Sequence, residues 1–221
     1  MTESPPTSLR ERKKARTRRA LIETSQRLFR EQGFAATTLE QVAADVEVHV
    51  KTLLRYFPTK QDLLLALEYQ VYDRWIRGLT APEREEDVVS YYCGFMHDLA
   101  TQWVTDECLA ERLEYVLLLD SDATTAAAAL RLSQQYEDDL TTALAQQHGV
   151  SGFDMYARTV AAMLVNTMNA LARRWASHPD DTDLLAAIDA IRDFCLREFP
   201  SRDEAVSLAH GTDASLKRNA G

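Results

Sequence analysis

The sequence predicts an all-α protein, and three observations carry that prediction. Seven Gly and six Pro in 221 residues are few, so residues that break helices are rare. Ala, Leu, Glu, Gln and Arg dominate long uninterrupted stretches, and these are the side chains that lose least on entering a helix. Within those stretches apolar positions recur at helical rather than alternating spacing. A hydrophobic fraction of 46% supplies enough apolar surface for a full core.

The elements follow in chain order. MTESPPTS, residues 1–8, has no periodic pattern and is expected to be disordered. A helix is predicted from about Leu9 to Gln32, with Ala20, Leu21, Thr24, Leu28 and Phe29 on one face and Gly33 as its left-handed stop. A very short helix follows, capped by Thr38, with Leu39, Val42, Ala43 and Val46 pointing inward. After a break at Val46–Val48 a second short helix spans about His49 to Tyr56, and Pro58 ends it. Two short helices joined by a tight turn and braced by a longer one make a helix-turn-helix arrangement. Longer helices are predicted over about 59–79, 84–104, 107–119, 123–148, 153–177 and 182–199, separated by APER, TDE, DSD, GVSG and HPDD. The expected organisation is therefore a DNA-binding domain over 9–58, a larger helical domain over 59–200 and a flexible tail over 201–221.

Charge is distributed unevenly along the chain. Residues 1–60 hold 12 Lys/Arg against 7 Asp/Glu, whereas residues 61–221 hold 13 against 27. A basic end on an acidic body can present one face to a polyanion and keep the other away from it. No run of apolar residues is long enough to span a bilayer, and no apolar segment follows the basic N-terminus, so a cytoplasmic protein with no membrane partner is expected. Cys93, Cys108 and Cys195 are odd in number and widely spaced, which suits reduced buried thiols. Cys93 and His97 share a helix face, with Glu107 and Cys108 one connection away, but two confident ligands fall short of a zinc site, and no metal or other cofactor is expected. No nucleophile motif, phosphate-binding loop or glutamate-x-x-histidine pair is present, so no catalytic residues are assigned and an enzyme is not expected.

The cationic N-terminal third is where the chemistry concentrates. Phe29, Phe34, Leu39, Val42, Val48, Leu53 and Phe57 are expected to fill a small core, leaving His49, Val50, Lys51, Thr52 and Tyr56 toward a DNA major groove. Thr38 and Lys60 stand at helix N-termini, where unpaired N–H groups and the helix dipole attract phosphate. RERKKARTRR, residues 10–19, adds seven cations including Arg16 and Arg18. It can follow a neighbouring groove and contribute affinity without sequence information.

RRALIETSQRLFREQGFAATTLEQVAADVEVHVKTLLRYFPTKQDLL, residues 18–64, resembles the tetracycline-repressor (TetR) family of bacterial transcriptional regulators, through LF-REQGF, TTLEQVA, TLLRYF and the closing K-x-x-LL. The remaining two-thirds resemble the family in helix number and length. The resemblance implies a homodimeric repressor on a pseudo-palindromic operator in double-stranded DNA, released when a ligand in the C-terminal domain tilts the 59–79 helix. Two positions depart from the family pattern: Glu47 stands where Gly is usual in the turn, and Leu54 where Tyr is usual. Glu47 either costs roughly 1 kcal/mol in a left-handed conformation or shifts the turn. The competing class is a helical small-molecule- or metal-binding protein that keeps a degenerate helix-turn-helix only as packing.

Tyr69, Tyr92, Phe95, Met96, Trp103, Tyr115, Tyr136, Met163 and Asn166 are expected to line an apolar effector pocket with a few polar fixtures. The 153–177 helix is apolar nearly all round, which buries it on two sides. The resemblance implies that one side faces the ligand, while the other packs with the 182–199 helix against a second subunit. The expected effector is a small apolar molecule; a resemblance to regulators that sense acyl-CoA-like molecules makes Arg173 and Arg174 candidates for an acyl-type head group, while solvated helix surface is the preferred reading of the pair.

Overall fold

The computed structural model describes residues 8–105, 109–121, 123–150 and 154–199. These residues form helices and turns, with no strand among them. The helices are α1 (Leu9–Gln32), α2 (Leu39–Asp45), α3 (Val50–Tyr56), α4 (Lys60–Leu64), α5 (Ala66–Leu79), α6 (Val88–Thr105), α7 (Leu109–Leu119), α8 (Ala123–Gln147), α9 (Met155–Ser177) and α10 (Leu184–Glu198). The predicted all-α class is the observed one. Of the expected disordered start, residues 1–7 lie outside the described residues, but Ser8 is ordered as the cap of α1, because its hydroxyl accepts from Glu11 N–H; the expected tail from 201 lies outside them as well.

Helix starts are set by caps. Ser8 with Glu11, Thr38 with Gln41 and Thr59 with Asp62 each form a reciprocal capping box, satisfying two otherwise orphaned N–H groups at a time. Asp154 and Asp183 cap α9 and α10 through a backbone N–H of the first turn. The helix predicted to begin at 84 begins four residues later, because the chain first makes turns, with Ala81 N–H donating to Gly78 O and Arg84 N–H to Ala81 O. Asp87 Oδ1 then accepts from Ser90 N–H at 2.9 Å, which places the cap there. The single helix predicted over 59–79 is two, α4 and α5, meeting at Leu65. The backbone ladder nevertheless continues, with Leu65 N–H donating to Gln61 O and Tyr69 N–H to Leu65 O, both at 2.9 Å.

The chain forms two compact units. One comprises residues up to Asp73 together with Glu114–Leu130, and the other Arg74–Leu113 with the chain from Arg131 onward. The first unit thus reaches past the boundary expected after residue 58. Its core has two parts. Leu21, Ile22, Val42, Ala43, Leu53, Phe57, Leu63 and Ala66 form one, and Phe29, Phe34, Leu64 and Tyr115 the other. In the second unit α10 packs on α6 and α9, burying Leu184, Ile188 and Cys195.

Gly33 has φ 84° and ψ 159°. It is therefore not the left-handed helical stop predicted for it, but an extended conformation open essentially to glycine alone. Glu47 keeps the left-handed turn, at φ 56°. Val48 N–H donates to Ala43 O and Glu47 N–H to Ala44 O, the paired bonds of a helix stop that prefers glycine at this position. Glu47→Gly is expected to stabilise the protein by about 1 kcal/mol, because the β-carbon's steric penalty disappears while both bonds remain. Thermal denaturation checks this, and an unchanged or lower Tm would show that the turn is not strained.

Candidate nucleic-acid interface and effector core

The α2–turn–α3 segment presents a narrow outward stripe. Leu53 is fully buried, so residues on the opposite side of α3 point to solvent: Lys51, Leu54 and Arg55 are exposed, with His49 just before the helix. His49 makes no side-chain cap bond, so its ring is not committed to the helix end. Val50 and Tyr56, expected on the same face, are half-buried and pack against the unit's core; Thr52 is half-buried as well. Arg55 was absent from the expected set, although its place one turn beyond Lys51 marks the same face.

Phosphate-directed residues divide similarly. Thr38 is exposed, and its hydroxyl oxygen accepts from Gln41 N–H at 3.1 Å, which leaves its own O–H able to donate outward. Arg16 is exposed, whereas the Arg18 guanidinium stands over the Phe57 ring, 5.3 Å from its centroid. Lys60 is turned inward. Its ammonium donates to Phe34 O at 2.6 Å and Thr37 O at 2.9 Å, and lies 4.2 Å from the Phe34 ring centroid. Carbonyls near the two ends of the α1–α2 loop attract the cation that the N-terminus of α4 was expected to offer to DNA.

The residues expected to line one pocket are dispersed between the units. Tyr115 belongs to the first unit, buried in its core, with its hydroxyl donating to Leu64 O at 3.2 Å. Tyr69 is also in that unit, half-buried. Asn166 lies on the exposed side of α9, donating to Ala162 O in its own helix at 2.8 Å. The inward asparagine of α9 is Asn169, which donates to Ser133 Oγ at 3.0 Å. In the second unit the aromatic expectation has more substance. Trp75 meets Tyr136 at 4.6 Å and Tyr92 edge-on at 6.1 Å between centroids, while Trp103 stacks on Trp175 at 6.1 Å. Phe95, Met96 and Met163 are half-buried, and the Arg74 guanidinium lies over Phe95.

Clefts open among the described residues of this unit, and two of them are as follows. The larger, about 1050 Å³, lies against the loop before α6 and the end of α8, with Glu85, Glu86, Asp87 and Asp139 in its walls. The smaller, about 270 Å³, is walled by Val89, Leu144, Val160, Leu196 and Phe199 on one hand and by Asp87, Gln147, His148 and Tyr156 on the other. Burial pushes the Cys93 thiol up to about 12, helped by the neighbouring Cys195, and raises Cys195 as well. His97 pairs with Asp189 at 3.8 Å, and among the described residues no three His, Cys, Asp or Glu side chains could hold a metal ion. Glu107 and Cys108 lie outside those residues.

A capped helix-turn-helix with a cationic outward stripe, followed by a separate helical unit with an aromatic interior, defines a DNA-binding transcriptional regulator. Residues 21–67 match the family model "Bacterial regulatory proteins, tetR family", and residues 96–200 match the "MftR C-terminal domain". The chain belongs to the TetR family of transcriptional regulators. It is 29% identical over 197 residues to the regulator TcmR of Streptomyces glaucescens, covering 83% of this chain and 86% of TcmR. In fold it is similar to Stenotrophomonas maltophilia SmeT bound to triclosan, with a TM-score of 0.64, 22% identity and coverage of 83% of this chain and 91% of SmeT. It is also similar to Thermus thermophilus FadR bound to lauroyl-CoA, with a TM-score of 0.55, 24% identity and coverage of 84% and 96%. The alternative of a binding protein with a degenerate helix-turn-helix is not favoured. No described helix is long and apolar enough to cross a membrane.

Proposed function

We propose that the chain is a cytoplasmic homodimeric repressor that grips a pseudo-palindromic operator through residues 9–58 and is released by a small apolar effector bound within 59–200. The observation that carries this reading is the exposed stripe Lys51–Leu54–Arg55 beside His49, backed by the cations of α1. An α3 face built this way can enter a major groove, while α1 supplies phosphate affinity. Leu54 offers no hydroxyl to a phosphate, and Lys51 and Arg55 on the same face compensate with charge. Burial raises the Cys93 and Cys195 thiols, so neither offers a ready thiolate.

Dimerisation is assigned to α9 and α10. With Leu184, Ile188 and Cys195 turned inward, α10 shows Ala186, Ala190 and Phe194 to solvent at one-turn spacing, and α9 shows Thr159, Asn166 and Ala170. Small side chains along a helix let a second helix approach closely, and the two-fold operation pairs such a stripe with itself. The apolar character of the effector is supported by the Trp75, Tyr92 and Tyr136 cluster. The same character appears in triclosan, which SmeT binds, and in the acyl chain of lauroyl-CoA, which FadR binds.

Lys51→Ala tests the reading head. If Lys51 reaches a base edge, the variant loses about 1–3 kcal/mol at one operator position and tolerates other bases there. If it meets phosphate, affinity falls evenly and the salt slope drops by about one. Binding curves against single-base operator changes across a salt series decide between the two. Wild-type protein with no sequence preference at any salt concentration would overturn the repressor reading.

A further inference from the structure

We propose that the smaller cleft of the second unit is a separate ligand site, taking an organic ammonium ion whose apolar body fills the cleft and whose charge faces Asp87. It goes beyond the apolar effector proposed above, because none of Trp75, Tyr92 and Tyr136 lines this cleft. Four helix ends meet there: α6 begins at the cleft with Asp87 before it, α8 ends there with Gln147 and His148 after it, α9 begins there with Tyr156, and α10 ends there with Phe199 after it. Val89, Leu144 and Val160 in the same wall are buried, and Tyr156 stands edge-on to Phe199 at 5.8 Å. Aliphatic and aromatic surface therefore receives an apolar body. At about 270 Å³ the cleft suits one molecule of about ten non-hydrogen atoms, which touches several walls at once.

The surroundings select the sign of its charge. Asp87, Gln147 and His148 also line the larger cleft, so the two clefts share an edge, and beyond that edge stand Glu85, Glu86 and Asp139. Arg84, in the same wall of the larger cleft, donates to Leu79 O at 3.1 Å and to Glu86 O, carbonyls that hold it within its own loop. A cation at the shared edge enters a negative field. Helix ends add to it. N–H groups at the starts of α6 and α9 are taken by their caps, Ser90 N–H donating to Asp87 at 2.9 Å and Tyr156 N–H to Asp154 at 3.0 Å, whereas α8 and α10 bring C-terminal ends of partial negative charge. A carboxylate can accept more than the one bond that Ser90 gives Asp87 Oδ1, and an ammonium N–H is a strong donor to it.

The test is titration calorimetry of the full chain with 2-phenylethylammonium, with 2-phenylethanol, of nearly the same shape but uncharged, and with 3-phenylpropanoate, of opposite charge. Wild-type protein is expected to prefer the ammonium to the alcohol by about tenfold and to bind the carboxylate least. Asp87→Asn removes the charge but keeps an oxygen for Ser90 N–H, so α6 stays capped and the preference should fall toward one. Leu196→Trp fills the cleft from the most exposed of its aliphatic walls, and should weaken ammonium and alcohol alike by about fivefold. A wild-type ratio near one, tightest binding of the carboxylate, or a ratio that Asp87→Asn leaves unchanged would overturn the site. Ammonium binding that Leu196→Trp does not alter would place the ion elsewhere and overturn it too, as would failure of all three probes to bind. None of these results touches the apolar-effector reading, which rests on other side chains.

Discussion

Lys60→Met is expected to lower stability by about 2–3 kcal/mol, a fall of roughly 5–10 °C in Tm, and to weaken binding to every DNA sequence alike. The variant keeps the length and apolar stem of the side chain but loses the charge that holds Phe34 O at 2.6 Å and Thr37 O at 2.9 Å and faces the Phe34 ring. Charge-assisted bonds of this kind are worth more than neutral ones, and the cation–ring contact adds to them. Thr37 O belongs to the residue just before the cap of α2, so releasing it loosens the start of that helix and the cap residue Thr38. The competing role, a direct phosphate contact, makes an opposite prediction. It would leave Tm unchanged and reduce the salt slope by about one. Thermal melts combined with DNA binding across a salt series separate the two, and an unshifted Tm would remove Lys60 from its place as a strut.

Ala190→Glu is expected to dissociate the proposed dimer and, through that, to reduce operator affinity by about 10²–10⁴-fold. Ala190 is exposed on α10 between Ala186 and Phe194, so the change leaves the isolated subunit's core untouched, and Glu is a good helix former. In an interface around a two-fold axis the charge enters twice, and each copy costs several kcal/mol if buried without a partner. Sedimentation at micromolar concentration should show monomers with wild-type helix content. A variant that remains dimeric would exclude this face of α10 from the interface.

Much of the fold was legible in sequence because its signals are local. Thr38 was read as the cap of the short helix after it, and it forms a capping box with Gln41; Ser8 and Thr59, which were not read as caps, form the same motif with Glu11 and Asp62. The α1 range was predicted as observed. Where prediction slipped, tertiary context intervened: Gly33 adopts an extended conformation instead of a left-handed helical one, and the 59–79 segment is divided at Leu65. The outward face of α3, proposed to read DNA, was legible only in part. Buried Leu53 and its partners orient α3, so Val50 and Tyr56 are drawn toward the core while Arg55 joins Lys51 outside.

The sequence by itself determined the helical class, the helix-turn-helix and the charge polarity, since each depends on residue type and spacing along one segment. Only the tertiary structure decided which long-range partner each polar or aromatic group meets. Lys60 is drawn to carbonyls 23 and 26 residues away, Tyr115 to a carbonyl 51 residues away, and Asn169 rather than Asn166 turns inward to Ser133. Those choices follow from where separate helices are brought together, because a buried polar group must find a partner in space, and periodicity within one helix does not specify which partner that is.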